Sequence, residues 1–162
     1  MPAVAKFGSL GIMLASHVLK GVEMGLIPVE RVIRWADQQI VDAATPAPWL
    51  IDLATTRADN HDVISTMRQY GVSTEVDDDT LLALIAYGFF HSRLALAQVH
   101  AALYDRFCAT GWKEMTPLRQ QIYIFDDELD WDTNQARRTC EAILQPFRDS
   151  GERLVSDYTN DT

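Results

Sequence analysis

Apolar residues recur three and four positions apart through most of the chain, and Gly and Pro interrupt the pattern at wide intervals. That spacing is the helical period. No run combines apolar/polar alternation with the β-branched enrichment of a strand, so the pattern predicts an all-α protein. The first helix is expected from about Ser9 to Met24, with Ser9 as its cap and Gly25 as its stop. Pro28 opens the second, whose stripe Val29, Val32, Ile33, Ala36 and Ile40 follows i, i+3, i+4, i+7 spacing. After the break at Thr45-Pro46-Ala47-Pro48, Trp49 to Thr56 reads as a short helix. Asn60 is positioned to cap a fourth, which Gly71 ends.

Asp78 or Asp79 should cap a long helix reaching about Ala109. It is apolar nearly all round, from Leu81 to Val99, as the buried centre of a bundle would be. Gly88 within it marks a bend or a close helix crossing. Thr116-Pro117 starts the next helix, with Leu118, Ile122, Phe125 and Leu129 inward. Asp132 or Thr133 separates it from a last helix that Pro146 kinks or splits. The polar end, residues 156–162, reads as a frayed tail. The pattern thus predicts one all-helical domain over residues 1–162, a bundle of about six to eight helices around a long central apolar one.

Size and composition support that picture. The 162 residues are 48% hydrophobic and 23% charged, an ordinary globular balance. A chain this long buries about two-thirds of its unfolded surface and needs no disulfide or structural metal to fold. Cys108 and Cys140 lie far apart, in no metal-ligand spacing, and read as reduced thiols of a cytoplasmic protein. Residues 6–17 resemble a signal peptide only superficially, because Gly and Ser break the apolar run and the helical pattern continues to Glu23. Residues 81–104 carry His91, Arg93 and His100 and fail as a transmembrane span.

Charge changes the picture more. Asp and Glu number 23 against 14 Lys and Arg, a formal net charge of -9. That balance repels nucleic-acid phosphates and anionic membranes, and it suits a basic partner. The only paired basic site is Arg137-Arg138, so no nucleic-acid stripe is present.

The candidate chemistry is sparse. No nucleophile elbow, phosphate-binding loop or dinucleotide fingerprint occurs, so no catalytic residue and no cofactor is expected. His61-Asp62, with His17 upstream, could imitate the metal set of an HD-type phosphohydrolase. His91 and His100, nine apart on one helix, would face opposite ways and could not share an ion. The densest charged feature is Asp126, Asp127, Glu128, Asp130 and Asp132, with Trp131 inside it. Carboxylates around an aromatic anchor suit protein binding, and Trp35 is a second candidate anchor. Trp49 and Trp112 also lie near polar sequence.

The stretches from Gly25 to Asp37 and from Pro48 to Ala54 carry a Trp-Ala-Asp helix, a Pro-rich turn and a Leu-Ile-x-Leu helix. This pattern resembles small acidic helical bacterial proteins grouped with the immunity proteins of polymorphic toxin systems. The resemblance covers roughly a quarter of the chain and carries over no site residue. It implies a non-enzymatic inhibitor that binds a cognate toxin in the cytosol, and many such toxins are basic nucleases. Two rival expectations stand beside it: the metal-dependent phosphohydrolase, and a structural or adaptor subunit that forms homo-oligomers.

Overall fold

A computed structural model describes residues 9–109 and 114–159, excepting the side chains of 9–15 and 157–159. The protein is all-helical over these residues, with no strand among them. Its described residues gather into two compact units, one of those up to Asp77 together with those from Leu154 on, the other of those between Asp78 and Arg153.

In the first unit α1 (Ser9–Glu23) ends where Gly25 takes φ +71°, a conformation costly for any residue with a Cβ. The Leu26 N–H then reaches back to the Gly21 carbonyl at 2.8 Å, which closes the helix end. α2 (Val29–Asp42) buries Val29, Val32 and Ala36 from the expected stripe. Pro28 occupies its cap, one residue ahead of the first turn. α3 (Pro48–Thr55) packs against α2, and both α1 and α3 pack against α4 (Asn60–Gln69). The cap of α4 is Asp59, not Asn60. Its Oδ1 accepts the Asp62 N–H at 3.1 Å, while the Asn60 side chain donates to the Val22 carbonyl at 3.4 Å.

The second unit holds α5 (Asp78–Phe90), α6 (Leu96–Phe107), α7 (Pro117–Trp131) and α8 (Thr133–Leu144). Pro146 splits the final segment into a 3-10 turn (Gln145–Phe147) and α9 (Arg148–Thr159). Ser156 to Thr159 therefore continue a helix where the sequence predicted fraying, and residues 160–162 lie outside the described part.

The long central helix is corrected to two shorter ones. α5 stops at Phe90 because Ser92 turns to φ +53° and the Arg93 and Leu94 amides both donate to the Gly88 carbonyl, at 2.7 and 3.0 Å. After five intervening residues the chain turns helical again in α6, with the Gln98 side chain accepting the Ala95 N–H at 2.8 Å. The Arg106 Nε donates to Asp78 Oδ1 at 2.7 Å and ties the end of α6 to the start of α5. The expected apolar centre survives in α5, where every residue from Leu81 to Gly88 is buried. Its close approach to α9 requires Gly151, since a Cβ there would lie 2.3 Å from the Ala83 carbonyl oxygen.

Candidate interaction surface

α7 is built to show one face and hide the other. Thr116 caps it by accepting the Arg119 N–H at 3.2 Å, and Pro117 follows in the first turn. Ile122 and Phe125 are fully buried, as the sequence predicted. Arg119 joins them at 7% exposure, its Nη1 donating to the Glu114 carbonyl at 2.9 Å. Leu118 and Leu129 are only half-buried. At the other end Asp132 both terminates α7 and caps α8, its Oδ1 accepting the Asn134 and Gln135 amides at 3.1 and 3.0 Å.

The five carboxylates of the acidic run do not act as one cluster. Asp126 turns toward α6, where its Oδ1 lies 2.8 Å from His100 Nε2. The contact is close enough for an ion pair but out of line for a hydrogen bond. His100 also meets the Phe125 ring edge-on at 5.6 Å between centroids. Beside it, partial burial pushes the Tyr104 phenol above its ordinary range, and Tyr123, Asp126 and Cys108 add to the shift. Asp132 is used as a cap. Asp127 and Asp130 are exposed, and Glu128 is half-buried, its Oε2 covered and without a hydrogen-bond partner among the described residues.

Trp131 stands among these groups with 90% of its surface exposed. Ile124, two turns earlier, is 45% exposed. Ile124 belongs to no motif in the sequence. Its signal was positional, because it falls outside the inward stripe and seven residues before Trp131. Trp35 is placed in the first unit, on α2, where it packs on Trp49 with ring centroids 6.1 Å apart. Trp112 lies outside the described residues.

The histidines are distributed differently from the expected metal set. Asp59, His61 and Asp62 are the only such group among the described residues, with potential ligand atoms within 4.8 Å of one another. His17 is not in that group and is buried, at 7% exposure. His61 projects into solvent. His91 follows the last residue of α5, with Nε2 at 2.5 Å from Glu152 Oε1, and stacks on Tyr87. His91 and His100 thus take separate carboxylate partners on separate helices. Both cysteines are buried and free, and burial pushes the Cys140 thiol up to about 12.

A polar cleft of about 650 Å³ opens near the start of α7, lined by Asp105, Glu114 and Arg119 among others. No helix among the described residues is long and apolar enough to cross a membrane. No protein-family model matches the chain, and no match to it was found among curated proteins or solved structures.

Proposed function

We propose that this chain is a non-enzymatic protein-binding module, an immunity-type inhibitor that neutralises a basic toxin through the outer face of α7. The observation that carries the reading is Trp131, 90% exposed between the exposed carboxylates Asp127, Asp130 and Asp132. A solvent-facing indole at a helix end adds nothing to the core, whereas buried aromatic anchors dominate binding energy in protein interfaces. The flanking carboxylates would steer a cationic partner and raise its association rate, an effect that salt screens. The net charge of -9 adds to the same field.

Co-expression tests the reading. The protein encoded beside this chain in its genome is induced alone and together with it. Growth arrest by the neighbour, relieved by this chain, is the expected result. Reversal of Asp127 and Asp130 to Lys should slow association and flatten its salt dependence. A harmless neighbour, or toxicity that persists, overturns the reading.

The Asp59–His61–Asp62 group keeps a metal-binding alternative in view. Stoichiometric Mn, Fe or Zn in the purified chain, lost in His61→Ala, would favour it.

A further inference from the structure

The outward residues of α7 form more than an acidic patch. At 3.6 residues per turn, Gln120, Ile124, Asp127 and Trp131 fall within about 60° of arc, opposite buried Ile122 and Phe125. Their spacing is four, three and four, the d-a-d-a seam of a heptad repeat. All four are exposed. Glu128 then falls at an e position and Asp130 at a g position, the two flanks that set partner choice in paired helices. Ile124 and Trp131 supply the two apolar a-type knobs, about 10.5 Å apart along the axis.

We infer that α7 pairs side by side with a cationic amphipathic helix of the partner protein, through the seam Gln120–Ile124–Asp127–Trp131. Two observations choose this occupant. First, Asp127, Glu128 and Asp130 line and flank the seam, so a second copy of the chain would set like charges against like. A helix bearing Lys or Arg at its own e and g positions satisfies them. Second, Ile124 and Trp131 are exposed on the same face, and an amphipathic helix covers them with its own apolar stripe. Asp126 takes no part, because His100 holds it toward α6. The inference rests on the protein-binding reading and adds the partner's secondary structure, charge and register.

The test uses the full chain and a synthetic three-heptad peptide with Leu at a and d and Lys at e and g. Titration calorimetry and light scattering read binding and stoichiometry. The Lys peptide should bind one to one and weaken with salt, and a peptide with Glu at e and g should not bind. Ile124→Ala, Trp131→Ala and Asp127→Lys should each weaken binding about tenfold or more, the equivalent of about 1.4 kcal/mol. Asp37→Lys, the same charge change on exposed α2, should leave it within about twofold.

Equal losses for Asp37→Lys and Asp127→Lys, with the two apolar variants unchanged, would mean diffuse charge attraction and would overturn the seam. Absence of binding would overturn it too, as would Trp131-dependent self-association of the chain alone. The two proposals fail separately. Neutralisation of the neighbouring toxin that survives Ile124→Ala and Trp131→Ala sinks the seam and spares the inhibitor reading. Seam-dependent peptide binding without a toxic neighbour does the reverse.

Discussion

α5 and α7 belong to the same unit and are similar in length, at 13 and 15 residues, yet they use apolar side chains in opposite ways. α5 buries everything from Leu81 to Gly88 on all sides, against α6, α8 and the 3-10 turn. α7 buries one stripe and leaves Ile124 and Trp131 in water. An apolar residue that is buried holds the fold together. One left exposed on an otherwise polar face contributes little to it and is available to a partner.

Substitutions at the two helices should therefore separate stability from binding. The largest effect is expected in α5. Leu84→Ala, at a fully buried position, should cost about 3 kcal/mol in urea unfolding. A cost under about 1 kcal/mol would mean that α5 is not the packed centre described above.

Next comes the alkaline limb of stability. The Cys140 thiol titrates near 12 when folded and at the ordinary 9.0 when unfolded. Because the folded value is raised, the contribution is intact below pH 9.0 and is lost progressively as the pH climbs toward 12. Cys140→Ala should flatten that part of the stability–pH curve, followed by denaturant midpoints between pH 8 and 11. An unchanged slope would assign the alkaline loss to other groups.

A smaller change is expected at the α7–α8 junction. Asp132→Ala removes the acceptor for two amides and should cost about 1 kcal/mol, through fraying of α8. Amide exchange of Asn134 and Gln135 should quicken with it.

The smallest effect belongs to the outer face. Trp131→Ala deletes a far larger side chain than Leu84→Ala, yet it should shift stability by no more than about 0.5 kcal/mol. A loss comparable with that at Leu84 would show Trp131 to be a core residue and would end the comparison.

The sequence was legible where local chemistry acts alone. Gly25, Gly71, Thr116-Pro117, Asp132 and Pro146 mark helix ends because caps, left-handed turns and missing amides are properties of a few adjacent residues. The stripe on α2 and the inward Ile122 and Phe125 were legible because periodicity follows from helix geometry. The break between α5 and α6 was not, because no Gly or Pro stands at residues 91–95. Ser92 turns there only under the bonding of two amides to one carbonyl.

The charged groups show the same division. The sequence determined that Asp126, Asp127, Glu128, Asp130 and Asp132 share one short stretch with Trp131. Only the tertiary structure decided that Asp126 faces His100, that Arg119 is buried, and that Trp35 meets Trp49. The same holds for His17, which stands outside the Asp59–His61–Asp62 group. A helix wheel assigns faces, but which face meets another helix depends on packing between residues distant in the chain, and a single sequence carries no local mark of that pairing.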